Sequence, residues 1–275
     1  MIDLCLICRG SVKKMNCYSH KCEVCGFYFS SLSSGFGQDV KGLENLRKQN
    51  FKKILSIILD LNDKPKVLEI GSGDGYFIEE CIYLNILIYG SEASLNSLKK
   101  LRNKFKNKAK IYKLSLPESI IKKTKSKFDF IVFNDVFEHI NDINKVINTS
   151  KLALKKEGII IINSPTSDGI IFQVSSFLMK LGFTKFYDRL WQKNMNSPHL
   201  SYFNKKNLCL LFSRHNFYVF KSGNLNSLDA NNTLRFYNLY NSTFKRIIFS
   251  MLCFLFIFFQ KILPKDIMFI FFKNK

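Results

Sequence analysis

Acidic residues, proline, tryptophan and apolar runs of membrane-spanning length are all scarce in this chain. Its 275 residues hold 21 Asp and Glu against 42 Lys and Arg, five prolines and one Trp. The resulting net charge of +21 invites nucleic acid or an anionic membrane surface as partner. Lys outnumbers Arg 35 to 7 beside abundant Asn, Ile and Phe, a bias that an AT-rich genome also produces without any partner. The densest basic stretch, 99–127, sets eleven Lys and one Arg against Glu118. It lacks a series of aromatics spaced for base stacking, so it reads as a solvated face and no nucleic-acid partner is expected. The longest apolar run, 247–259, has thirteen residues, where a spanning helix needs about 20. The first residues reach Cys5 and Cys8 without a basic segment followed by an apolar one. No secretion signal is therefore expected, and the chain is expected in the cytoplasm, where thiols stay reduced. The 47% hydrophobic content suffices for one catalytic domain plus a small accessory module.

The most informative stretch is Val67-Leu68-Glu69-Ile70-Gly71-Ser72-Gly73-Asp74-Gly75. An apolar strand enters a glycine turn, and a helix is expected from Tyr76. Glycines at such a turn permit positive φ and let a ligand approach the backbone. The dinucleotide spacing Gly-x-Gly-x-x-Gly is missing, since Tyr76 stands three residues after Gly73. No Lys-Ser/Thr follows, which excludes a phosphate-cradling Walker loop. A second apolar strand, Ile86–Gly90, ends at Ser91-Glu92, placing a carboxylate where a doubly wound sheet binds ribose. Phe128–Asn134 then leads into Asp135-Val136-Phe137-Glu138-His139-Ile140, and Gly158 leads into Ile159–Pro165.

This order of motifs over residues 45–220 resembles the class I S-adenosylmethionine-dependent methyltransferases, in the subgroup with a Glu-His-aliphatic signature after strand four. The resemblance implies an α/β fold: a doubly wound, mostly parallel seven-stranded Rossmann-like sheet. It implies S-adenosylmethionine as cofactor. Gly71, Ser72, Gly73 and Gly75 would pass the backbone close to its ribose and methionine portion. Glu69 would hold the turn or the methionine ammonium, Glu92 the ribose hydroxyls, and Asn134 would lie beside the methionine. Ser115–Glu118 falls where the family shields the adenine. A helix over Leu43–Leu61, with apolar residues at helical spacing, would pack beside the cofactor.

Two histidines are candidates for the general base that a hydroxyl or activated-carbon acceptor requires. His139 follows the fourth strand, where a structural capping role is the alternative. His199 lies in Pro198-His199-Leu200, which resembles the family's acceptor-closing loop. His20 and His215 are expected at the surface. Asn204 is placed to cap a helix from Lys205, with a left-handed stop at Asn216 and a strand over Tyr218–Phe220 after it.

Cys5-x-x-Cys8 and Cys22-x-x-Cys25, thirteen residues apart, predict a closed four-thiolate Zn2+ site of structural or docking role. Cys17 and His20 are read as spectators. Residues 1–30 thus form a zinc-ribbon-like module too short to hold a core without metal, with 31–42 a linker. The catalytic domain is expected over 43–275, including an acceptor-loop insertion at 166–203 and an apolar helix at 244–263 before a last antiparallel strand, Ile267–Phe272. That helix suits the inner face of the cytoplasmic membrane, a homo-oligomer contact or a buried position. The ribbon resembles modules of sugar and polysaccharide methyltransferases, so the expected acceptor is a polar small molecule, sugar, lipid-linked saccharide or other glycan. The alternatives are a quinone-type O-methyltransferase, and a non-catalytic or macromolecule-directed protein on the same fold.

Overall fold

The computed structural model describes residues 4–33, 43–113, 126–228 and 262–275, with 243, 247, 251, 254 and 257–259. Two sheets organise these residues. The small one comprises β1 (Val12–Lys14), β2 (Ser19–Cys22), β3 (Tyr28–Ser30) and, from far along the chain, β9 (Ser201–Tyr202). The large one contains β4 (Lys66–Ile70), β5 (Leu87–Glu92), β6 (Lys110–Lys113), β7 (Phe128–Asn134), β8 (Leu154–Pro165), β10 (Phe217–Leu225) and β11 (Ile267–Asn274). Its order is β10-β11-β8-β7-β4-β5-β6. The pairs β4–β5, β4–β7, β5–β6 and β7–β8 are parallel, and β11 runs antiparallel to both β8 and β10. The seven strands expected from the sequence are all present.

The central strands are apolar at successive positions because both of their faces are covered. Leu68, Ile70, Ile131, Phe133, Ile160 and Ile162 face one core. Their neighbours Val67, Phe130, Val132, Ile159 and Ile161 face the other, as the two-residue side-chain period requires. The second core is closed by α1 (Glu44–Leu61), α2 (Tyr76–Tyr83) and α3 (Leu95–Lys104). In α1 the buried residues Leu46, Asn50, Phe51, Ile54, Leu55, Ile57 and Ile58 form the expected helical stripe. The first core is covered by α4 (Ile143–Ala153) and α7 (Lys205–Ser213).

Asn204 caps α7 reciprocally: its Oδ1 accepts from the Asn207 N–H at 2.9 Å, and Asn207 Oδ1 accepts from the Asn204 N–H at 3.0 Å. Asn216 adopts φ +63° just beyond that helix, the left-handed stop expected. Two strand bounds differ from the sequence reading. β8 starts at Leu154 because Leu154 already pairs with Phe128 before the Glu157-Gly158 turn. β10 runs on to Leu225 because Lys221–Asn224, polar enough to read as loop, pairs along β11 on the sheet's edge. There only one flank must be satisfied and an outer polar face costs little.

Between β8 and β9 the chain forms α5 (Ile170–Lys180) and α6 (Thr184–Leu190). These build a third core of Tyr18, Phe172, Met179, Tyr187, Trp191 and Tyr202. Residues 34–42 of the expected 31–42 linker, the Ser115–Glu118 segment and most of 244–263 lie outside the described residues. Within the last segment, Ile247, Met251, Phe254 and Phe258 are helical and exposed. Among the described residues no helix is long and apolar enough to cross a membrane.

Candidate functional site

The carboxyl ends of β4, β5, β7 and β8 converge on one crevice, the usual ligand side of an open α/β sheet. At β4 the turn is left-handed three times, with φ +72° at Gly71, +50° at Gly73 and +82° at Gly75. A Cβ on Gly71 would also stand 2.6 Å from Val136 Cγ2, so this glycine is fixed by the close passage of the β7 turn as well as by its φ. Glu92, at the end of β5, accepts from the Gly73 N–H at 3.0 Å and the Ser94 N–H at 2.9 Å. The Ser72 N–H donates to the Ser91 carbonyl at 2.9 Å, and Ser72 Oγ accepts from the Ser91 N–H at 3.2 Å. Glu92 and the turn are thus locked together before any ligand arrives.

One strand over, buried Glu69 accepts from Asn134 Nδ2 at 3.0 Å, and Asn134 Oδ1 accepts from Asn163 Nδ2 at 3.2 Å. Asn163 was not singled out in the sequence. Its only signal was a polar residue closing the apolar run of β8. Asp135 follows at φ +51°, its N–H held by the Asn163 carbonyl at 2.9 Å and its carboxylate 3.6 Å from Arg47 of α1. A left-handed non-glycine at a strand end is stored strain of the kind that clusters at functional sites. The expected cofactor residues Glu69, Gly71, Ser72, Gly73, Gly75, Glu92 and Asn134 therefore lie together at the carboxyl ends of β4, β5 and β7. Two carboxylates, backbone N–H groups and an amide beside a left-handed turn fit a ligand that carries a diol and an ammonium.

Past the end of β7 the structure brings the two candidate histidines together, although sixty residues separate them in sequence. The rings of His139 and His199 meet edge to face with centroids 4.7 Å apart. His139 Nδ1 lies 2.9 Å from the Pro198 carbonyl. A carbonyl accepts only, so Nδ1 carries a proton. His199 is buried, with Nε2 3.0 Å from the Gln192 amide and Nδ1 without a hydrogen-bond partner. Burial, then the neighbouring His139, pushes its pKa well below the ordinary value. Burial, then Asp135, drives that of Glu138 well upward. Ligand atoms of Glu138, His139 and His199 lie within 4.8 Å of one another, close enough to ligate one divalent cation.

The four predicted cysteines form the other cluster. The sulfurs of Cys5, Cys8, Cys22 and Cys25 lie within 4.8 Å of one another and none is in a disulfide. Cys8 and Cys22 are 3.3 Å apart, Cys5 and Cys25 3.7 Å. Backbone N–H groups of Ile7, Gly10 and Cys25 point at Cys5, Cys8 and Cys22 at 3.3, 3.3 and 3.4 Å. Burial opposes ionisation of Cys22, but the N–H groups of Cys25 and Val24 and the Cys8 thiol outweigh it and bring its pKa to about 7. Cys17 is exposed and His20 stacks on Phe29, so both stand apart from the cluster, as expected.

The sheet order, the glycine turn and the carboxylate after β5 define the class I methyltransferase type of Rossmann-like protein. A family model described as "Methyltransferase domain" matches residues 43–222, and the chain belongs to that family. It is 33% identical over 154 residues to the ubiquinone biosynthesis O-methyltransferase of Pelagibacter ubique (strain HTCC1062), over 53% of this chain and 63% of that protein. A protein of the same name from Bartonella tribocorum is 28% identical over 102 residues, 36% of this chain and 41% of that protein. The chain thus spans less than two thirds of the length of these curated relatives. Two solved structures share the fold. A SAM dependent methyltransferase from Archaeoglobus fulgidus is 16% identical at TM-score 0.53, over 84% of this chain and 97% of that one. Haemonchus contortus phosphoethanolamine N-methyltransferase 2, in complex with phosphomonomethylethanolamine and S-adenosylhomocysteine, is 13% identical at TM-score 0.53, over 81% and 53%.

Proposed function

We propose that this protein is an S-adenosylmethionine-dependent O-methyltransferase whose general base is His139, backed by His199. The observation that carries the reading is the histidine pair at 4.7 Å, beyond the end of β7 and next to the glycine turn. When bound, the cofactor supplies an electrophilic methyl group on a sulfonium. The chain's own task is to orient the reactants, exclude water and take one proton. Glu92 and the Gly71–Gly75 backbone hold the ribose end, and Glu69 with Asn134 holds the methionine end. His139, with its Nδ1 proton tied to the Pro198 carbonyl, is the group that takes the acceptor's proton. Buried His199, whose pKa lies well below its ordinary value, adds no positive charge beside it.

The curated relatives favour a phenolic hydroxyl of a quinone precursor as acceptor. The sugar or glycan acceptor expected from the cysteine module has no support among the relatives. It is kept as the second reading because that module pairs with β9 beside His199 and places Tyr18 in the third core. Radiolabelled methyl transfer to a catechol and to a nucleotide sugar, with purified protein, decides between them. Labelling of neither, with the cofactor bound, would point to the non-catalytic alternative.

Zn2+ is assigned to the four cysteines. A tetrahedral site with Zn–S near 2.3 Å needs sulfurs about 3.8 Å apart, and the pairs at 3.3 and 3.7 Å need only small adjustment. Four thiolates leave no open coordination position, so the ion is structural. The exposed stripe Ile247, Met251, Phe254 and Phe258 keeps the inner face of the cytoplasmic membrane as the proposed location, with a homo-oligomer contact the competing account.

A further inference from the structure

The cysteine module and the histidine loop share a seam. β3 pairs with β9 through Tyr28↔Tyr202 and Phe29↔Ser201. Ser30, the next residue, closes it twice: its N–H donates to the Leu200 carbonyl and its Oγ–H to the His199 carbonyl, both at 2.9 Å. On the other side the Leu200 N–H donates to the Glu138 carbonyl at 2.8 Å, and the His199 N–H to the Trp191 carbonyl at 3.0 Å. The backbone that carries His199 is thus strung between the module and the turn that carries His139. Side chains repeat the link. Tyr18 Oη donates to Asp188 at 2.8 Å, Tyr187 Oη to Ser19 Oγ at 3.2 Å, and the Phe27 ring lies 5.1 Å from Phe203. Cys5, Cys22 and Cys25 are buried in the same core as Phe27, Phe137 and Phe203.

We infer that Ser30 is a positioning residue for His199, and that metal on the four cysteines sets the order of the 196–203 loop without acting on the cofactor turn. The inference rests on the zinc assignment and the histidine reading above. A module of about thirty residues is too small to hold its own core without a metal, and β9 is two residues long. Releasing the metal frees β3, and freeing β3 removes the partner on which β9 and the His199 carbonyl depend. The cofactor turn is held differently: Gly73 and Ser72 bond to Glu92 and Ser91 of the large sheet.

Trp191 reports on this seam directly. It is the chain's single tryptophan, is fully buried, and sits edge-on to Tyr18 of the module at 6.2 Å and Tyr202 of β9 at 5.0 Å. The test uses the full chain with zinc measured before and after chelation. Three signals are followed: Trp191 emission, hydrogen exchange over 196–203, and calorimetric binding of S-adenosylhomocysteine. Zinc removal is expected to shift the emission to the red and speed exchange in the loop, both reversed by added Zn2+, with S-adenosylhomocysteine affinity unchanged. Ser30→Ala, with zinc retained, should speed loop exchange about fivefold, the loss of one hydrogen bond, and Ser30→Thr should restore it. Zinc lost with emission and exchange unchanged would overturn the inference, as would S-adenosylhomocysteine affinity falling in parallel. A chain that binds no Zn2+ refutes the zinc assignment and with it the metal half. Unchanged loop exchange in Ser30→Ala removes the other half. Failure to methylate any acceptor, with all three signals as expected, refutes only the O-methyltransferase reading.

Discussion

At the cofactor end, Glu69, Gly71, Gly73 and Glu92 come from one strand–helix–strand unit, with Asn134 from the adjacent strand and Asn163 from the one beyond. At the histidine end, His139 follows β7, His199 sits sixty residues on, and the seam that fixes it begins at Ser30. The cofactor end is held by hydrogen bonds between neighbouring parallel strands of one sheet. The other end is held by hydrogen bonds to the turn after β7 and to the distant cysteine module. Local construction makes the first end robust and readable. Distant construction makes the second adjustable, which suits the side of the site that must select an acceptor.

Substitutions that act on one end alone would sharpen this contrast. The largest effect is expected for His139→Ala, which should lower kcat by about 10²–10⁴-fold, the usual worth of a positioned general base, and leave S-adenosylhomocysteine affinity intact. Steady-state kinetics beside calorimetry checks both halves, and a parallel loss of affinity would break the division. Glu92→Ala should do the converse. Charge-assisted hydrogen bonds are worth about 1.5–3 kcal/mol each, so cofactor Kd should rise at least about tenfold, while Trp191 emission stays as in the wild type.

A smaller effect separates the ends by pH. Burial holds the folded-state pKa of His199 below its ordinary value of 6.5. The unfolded chain therefore binds the proton first, and stability falls as pH drops below about 6.5. His199→Gln should flatten that part of the curve in urea titrations at pH 5.5 and 7.5, and an identical slope in both proteins would show that His199 does not titrate as argued. The smallest effect concerns the exposed stripe. Phe254→Glu with Phe258→Glu should reduce flotation with anionic liposomes and leave methyl transfer to a soluble acceptor unchanged. A wild type that stays unbound as a stable dimer, dissociated by the same pair, would assign the stripe to self-association.

The glycine turn, Glu92, the succession of strands along the chain and the capped helix after Asn204 were all legible in the sequence. Each is a local pattern with one physical solution: an apolar run that needs two covered faces, a turn that needs positive φ, a side chain that caps its own helix. The Cys-x-x-Cys pairs were legible for the same reason, since each pair is a single tight turn. The extension of β10 was hidden, because polar residues on an edge strand look like loop until β11 supplies their partners. Asn163 was hidden because a polar residue at a strand end acquires meaning only from the neighbour it meets.

The sequence by itself determined the class I fold, the cofactor crevice and the four-sulfur cluster, because short-range sterics and hydrophobic period specify them within a few tens of residues. Only the tertiary structure decided that His139 and His199 form one pair, and that β9 completes the cysteine module's sheet. It also placed Ser30 and Trp191 at the joint between them. Those facts depend on pairings between segments more than fifty residues apart, and no local propensity encodes which distant strand an open edge will accept.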